Sequence, residues 1–213
     1  MYQRYLFSLF ITCSTVLFLS GCAENPAEKT NPAEITTPFE ASSTTAEGTT
    51  YTFDDRTTVE FTGSKITGSH EGGFKEVSGS VIVPEGDLAQ AQINVTINMN
   101  SLWSDNEKLT GHLKTADFFD VATFPEATFI STSLTESSTG YLVNGNLTLH
   151  GVTKGITFPA TLSISEGAQP VLQSSAEFSI IRTDFGINYK GKADDLIRPE
   201  VVLRFNLEAA ILP

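Results

Sequence analysis

GHLKTADFFDVATFPEATF, residues 111–129, carries four phenylalanines (Phe118, Phe119, Phe124 and Phe129) together with His112, Lys114, Asp117, Asp120 and Glu126. The first part of this region, from Asn106 to Asp117, reads as a short helix, and from Ala127 the chain reads as the start of a strand. Both flanks alternate apolar and polar residues in the manner of sheet. A compact helical insert with an aromatic tail therefore interrupts a β chain, and its expected place is over one end of a barrel.

Immediately upstream, Ile93, Val95, Ile97 and Met99 alternate with Asn94, Thr96, Asn98 and Asn100. Downstream, the same pattern runs through Val143, Gly145, Leu147 and Leu149, then through Ile156, Phe158, Ala160, Leu162 and Ile164, and finally from Val201 to Ile211. A period of two with one wet face means antiparallel sheet rather than helix. Weaker signals over residues 57–67, 73–83, 127–135 and 171–181 bring the strand number to eight. Turn-forming stretches at 84–87, 137–140, 150–152 and 166–168 supply short hairpins, the exceptions being the helical insert and the loop 183–198. The expected fold is all-β: an eight-stranded antiparallel up-and-down barrel with a short helical insert between strands 3 and 4, closed so that no edge is left open. A two-sheet sandwich is the alternative. An outer-membrane barrel fits poorly, because its apolar face would point to lipid and leave Pro159 with several Asn and Thr in the lumen.

The first 21 residues stand apart from this domain. Arg4 precedes a mostly apolar run from Tyr5 to Leu19, short for a membrane span and typical of a signal segment. Leu19-Ser20-Gly21-Cys22 resembles the lipobox of bacterial lipoprotein signals, which implies cleavage before Cys22 and acylation of that residue. Several acyl chains, at about 0.8 kcal/mol per buried methylene, make a stable anchor where one would be marginal. No Asp follows Cys22, which favours the periplasmic face of the outer membrane. With Cys13 in the signal and Cys22 lipidated, no thiol is left for a disulfide, a metal or a nucleophile. Residues 22–50, rich in Glu, Thr, Ser, Ala and Pro, read as a disordered tether of very roughly 30 Å average span. Residues 51–213 then form one domain. Net charge is −12, or −13 once Arg4, the one charge of the signal, is gone. That balance argues against nucleic acid and against electrostatic adhesion to anionic surfaces.

Chemistry is sparse. His70, His112 and His150 are the only histidines and no pair has metal-ligand spacing, so neither metal nor cofactor is expected. No G-x-S-x-G, H-E-x-x-H or phosphate loop occurs. An enzyme acting on a lipid would have to use His112 with Asp117 or Asp184. Their simpler reading is structural, as capping and loop contacts. Arg182 beside Asp184 reads equally as a structural ion pair. The inward apolar face admits two readings, since an eight-stranded barrel can be filled by its own side chains or can hold one small ligand. Gly145 and Ala160 leave room; Phe61, Phe74, Phe158, Phe178 and Phe205 take it up.

Five ordered motifs carry a family resemblance. They are Phe74-Lys75-Glu76-Val77-Ser78-Gly79-Ser80; Gly111 to Val121; Phe124-Pro125-Glu126-Ala127-Thr128-Phe129; Gly145 to Lys154; and Arg182-Thr183-Asp184-Phe185-Gly186-Ile187. Together they resemble the YceI-like family over nearly all of residues 51–212. The resemblance implies a lipocalin-like barrel under a lid helix that binds a polyisoprenoid or similar long amphiphile, without a known catalytic step. This chain departs from the usual pattern between Gly63 and Gly73, and at Trp103. On this reading the cavity is formed by Phe61, Phe74, Val95, Ile97, Met99, Trp103, Leu113, Phe118, Phe119, Phe129, Leu147, Phe158, Leu162, Phe178, Phe185 and Phe205. His70, His112, Lys114 and Arg182 are the expected contacts for a polar head. The membrane is reached through Cys22, and a homodimer is left open. A ligand-free envelope interaction module with a filled core is the bland alternative.

Overall fold

The computed structural model describes residues 23–40, 47–189, 191 and 196–212; the expected signal segment and Cys22 lie outside them. The strands are β1 (Asn31–Pro32), β2 (Glu34–Thr36), β3 (Thr49–Phe53), β4 (Thr58–Lys65), β5 (Gly68–Phe74), β6 (Val77–Val83), β7 (Gln92–Asn98), β8 (Leu102–Ser104), β9 (Glu126–Ser137), β10 (Gly140–Leu149), β11 (Val152–Ile164), β12 (Val171–Ile181) and β13 (Ile197–Ala210), with helix α1 (Glu107–Leu113) between β8 and β9. Three barrel staves are built from two pieces each: β3 with β4, β5 with β6, and β7 with β8. Around the ring every stave is antiparallel to its neighbours, and β13 closes it by pairing β12 on one side and β4 and β3 on the other. The result is a closed eight-stranded antiparallel barrel, as the alternation predicts.

The alternation places Val59, Phe61, Val95, Val143, Phe158, Phe178 and Leu207 in one interior, all of them buried. The first stave starts at Thr49, earlier than the sequence suggests. The Asp54–Thr57 turn looks like a strand end, but Asp54 N–H and the Thr57 hydroxyl both donate to the Glu208 carbonyl, at 3.1 and 2.9 Å, so β13 bridges the break. The second stave likewise extends back to Gly68 around a break at Lys75–Glu76.

One expectation needs correction. Much of the stretch read as a disordered tether is ordered against the barrel. β11 and β12 pair only over Thr161–Ile164 with Leu172–Ser175 and then part. Residues 31–36 fill the gap: β1 runs parallel to β12 at Phe178 and Ser179, and β2 runs antiparallel to β11 from Gly155 to Thr157. Ala33 N–H donates to the Ser179 carbonyl at 2.8 Å, and Asn146 bonds both main-chain groups of Phe39. The Pro26–Lys29 turn, capped by Asn25, packs over β13. This explains why Val202, on the outer face, is buried. Main-chain pairing requires no long side-chain pattern, and Ala33-Glu34-Ile35 is too short an alternation to register as a strand.

Gly145 sits at a register shift between β9 and β10. A Cβ there would lie 2.4 Å from Phe129 Cζ and 2.6 Å from the Ile130 carbonyl oxygen. Gly145→Ala is therefore expected to lower stability by about 1–3 kcal/mol, the usual range for overpacking, read as a drop in the urea midpoint with unchanged slope.

Candidate functional site

The interior is hollow in one half and packed in the other. Toward the end carrying α1, the β4–β5 hairpin and the β12–β13 connection lies a cavity of about 380 Å³. Toward the other end only about 40 Å³ remains, bordered by Val95, Phe129, Val143, Phe158 and Phe178. A stack of rings fills that half: Phe158 lies 4.2 Å from Phe178, and Phe205 lies 5.7 Å from Phe178, centroid to centroid. Leu147 and Phe205 border both spaces and form the partition.

The insert builds the cover from local interactions. Asn106 caps α1 by accepting the Leu109 N–H at 3.1 Å. The helix ends at Leu113, shorter than the sequence suggests, and a compact turn follows in which Phe119 N–H returns to the Leu113 carbonyl at 3.0 Å. That turn drives the adjacent phenylalanines apart. Phe118 stacks on Tyr189 at 5.1 Å, with His112 edge-on to both rings. Phe119 packs with Phe61 and Phe74, each at 6.4 Å. The cover is thus pinned to the β12–β13 connection on one side and to β4 and β5 on the other.

Of the residues expected to form the cavity, Phe61, Phe74, Ile97, Met99, Leu113, Phe118, Phe119, Leu147 and Phe205 line it. The others need correction. Val95, Phe129, Phe158 and Phe178 belong to the packed half. Leu162 is buried but borders neither space. The Trp103 indole packs beside Gly73, where a Cβ would come within 3.0 Å of Nε1. Phe185 is wholly buried in the turn after β12, away from the lining.

Three of the four expected head-group residues, His70, His112 and Arg182, lie on the cavity wall. Lys114 does not; its ammonium donates to the Asn100 carbonyl at 2.7 Å and ties the end of α1 to the turn after β7. Arg182, 7% exposed, donates to the Ile187 carbonyl at 2.7 Å and to the Ile197 and Arg198 carbonyls at 3.4 Å, binding the loop to β13. Asp184 is exposed and outside the lining, so it is not brought to His112, whereas Asp117 Oδ2 lies 3.2 Å from His112 Nε2. Among the described residues no three His, Cys, Asp or Glu side chains converge. Lys65, Tyr189 and Arg198, none of them singled out by the sequence, also line the opening. The Nε of Arg198 is buried and unpartnered. Nothing marks it in the sequence beyond a charge next to a proline.

His70 Nδ1 lies 2.8 Å from Asp105 Oδ1, and Glu71 N–H donates to the same carboxylate at 3.2 Å. The hydrogen bond with His70 holds the Asp105 carboxyl below its ordinary range; the Glu71 amide and the His70 charge add to this and desolvation opposes it. A depressed folded-state pKa contributes stability that is complete above the unfolded value and is lost as pH falls through the folded one. The clasp should therefore hold at neutral pH and release only below about pH 4, the ordinary carboxylate range. In an NMR titration the Glu71 amide should move with that low midpoint, and Asp105→Asn should remove the transition.

A YceI-like domain model matches residues 51–209. This chain belongs to the YceI-like family. A UPF0312 protein of Enterobacter sp. (strain 638) is 43% identical over 99 residues, 46% of this chain and 51% of its own. Protein YceI of Salmonella arizonae is 40% identical over the same shares. The chain thus spans about half the length of these curated relatives. Among solved structures, Burkholderia cenocepacia BcnA superposes with a TM-score of 0.64 at 26% identity, covering 74% of this chain and 99% of that one. A polyisoprenoid binding domain from Saccharophagus degradans, implicated in plant cell wall breakdown, gives 0.61 at 17% identity, covering 78% and 100%. At that identity the likeness to the Saccharophagus domain is one of fold.

Proposed function

We propose that this YceI-like protein is a lipid-anchored binding protein of the bacterial envelope that takes an isoprenoid-like amphiphile into the hollow half of its barrel. The observation that carries this is the apolar cavity of about 380 Å³ under the aromatic cover, with His70, Arg182 and Arg198 at its wall. The volume falls at the lower end of the range of about 300–1,000 Å³ common for small-molecule sites. It suits a polar head and a short run of tail, with the packed half setting the depth limit. The Saccharophagus domain of the same fold is a polyisoprenoid binding domain, which agrees with the choice of ligand class.

An isoprene unit, at about 0.8 kcal/mol per methylene-sized group, offers roughly 3–4 kcal/mol gross. Affinities level off near about 18–21 kcal/mol, and ordering the tail consumes part of the gain. Tail burial gives strength with little selectivity, so discrimination falls to the polar groups at the opening. The role is carriage or sequestration rather than turnover. Purification of the mature chain followed by solvent extraction and mass spectrometry should yield a co-purified isoprenoid or quinone. The same sample should give an acylated Cys22 peptide. An empty barrel that also refuses added polyprenols and quinones would overturn the ligand reading.

A further inference from the structure

Ala23 is not at the end of a loose leash. Its N–H donates to the Ile66 carbonyl at 3.2 Å, and its own carbonyl accepts from Arg198 Nη2 at 2.8 Å. Ile66 is at the tip of the β4–β5 hairpin, and its N–H donates to the Leu196 carbonyl at 3.1 Å. These contacts lie on the rim of the cavity, whose wall includes Lys65 and Arg198. Ala23 follows Cys22 directly in the sequence, and one residue of extended chain reaches at most about 3.6 Å. An acylated Cys22 is therefore tied to this rim by a single peptide link.

The rim itself is suited to lipid. Ile66 is 45% exposed and Leu196 41%, two aliphatic side chains held together by the hydrogen bond between their backbones. The other exposed aliphatics differ in place: Ile130 and Leu142 stand on the outer barrel wall, and Ile211 and Leu212 at the C-terminal end. Scattered exposure of that kind is ordinary. Lys65 and Arg198 add positive charge beside the pair although the whole chain carries −12, and Glu24 is neutralised by Lys29 at 2.8 Å. Basic groups at a membrane surface favour anionic headgroups.

We propose that the rim formed by Ile66, Leu196, Lys65 and Arg198 docks on the surface of a lipid bilayer, so that the barrel stands mouth-down on its membrane. This rests on the reading of Cys22 as the acylated residue. The docked Ala23 sets the orientation, Ile66 and Leu196 enter the headgroup boundary, and the two cations meet anionic lipids. A tail can then move between bilayer and cavity without crossing water.

The test uses the full lipidated chain in vesicles of phosphatidylethanolamine with a minority of phosphatidylglycerol. An environment-sensitive fluorophore is attached at Ile66→Cys, at Leu196→Cys, or at Ser138→Cys in the turn at the opposite end. Blue-shifted emission and protection from an aqueous quencher are expected at positions 66 and 196 and absent at 138. If the protein floats with the vesicles but all three labels report water, the docking proposal is overturned and the anchor reading survives. If it does not float and its mature N-terminus carries no acyl group, both fall. Two labels on separate segments keep the outcome decisive should one variant misfold.

Discussion

Val201→Phe combined with Leu203→Trp should abolish ligand binding and leave the barrel standing. Both side chains point inward from β13 and yet are only half-buried, because the cavity lies in front of them. Added volume there displaces the guest rather than neighbouring side chains. Affinity for a polyprenol or quinone should drop at least ~100-fold, about 2.7 kcal/mol, measured by titration calorimetry on detergent-solubilised ligand. Stability should stay within about 1 kcal/mol of the parent, whereas the same additions to a filled core cost roughly 1–3 kcal/mol each. A large loss of stability from this pair would mean that the interior has no spare room, and the binding proposal would go with it.

Phe178→Ala should do the reverse. Its ring is 0% exposed, stacked on Phe158 and Phe205 in the packed half, and borders only the small space. Removing a buried phenylalanine ring costs about 3–5 kcal/mol, part of it for the void left behind. At about 2–4 °C per kcal/mol for a domain of this size, thermal unfolding should move down by roughly 6–20 °C. Calorimetry on the ligand-free protein gives the cleanest reading, because bound ligand raises apparent stability by mass action. The contrast between the two variants locates the boundary between structural and functional interior.

The barrel was legible because most staves have a wet outer face, so their apolar residues fall on alternate positions. The division of its interior was not. Val201-Leu203 and Phe158-Phe178 obey the same alternation, and only their partners across the ring decide that the former face space while the latter meet rings. Arg198 was hidden for a similar reason: its role comes from Ala23, 175 residues away. The order of the N-terminal stretch is not legible in the sequence, because it comes from main-chain pairing into the gap between β11 and β12, which leaves little trace in side-chain type. Lys114 beside His112 looked like a companion cation, but a helical turn sends neighbouring side chains in different directions, and Lys114 leaves the opening for the Asn100 carbonyl.

The last strand carries a further implication. β13 is the shared seam of β12, β4 and β3, and the Thr57–Glu208 hydrogen bond joins residues 151 positions apart. Without that segment β12, β4 and β3 would lack their shared partner, and the ring could not close over its apolar side. Such distant pairings make assembly slow, because most of the chain must be gathered before any closure is rewarded. Chains cut short before Ile197 should therefore be sticky, protease-sensitive intermediates rather than smaller working cups.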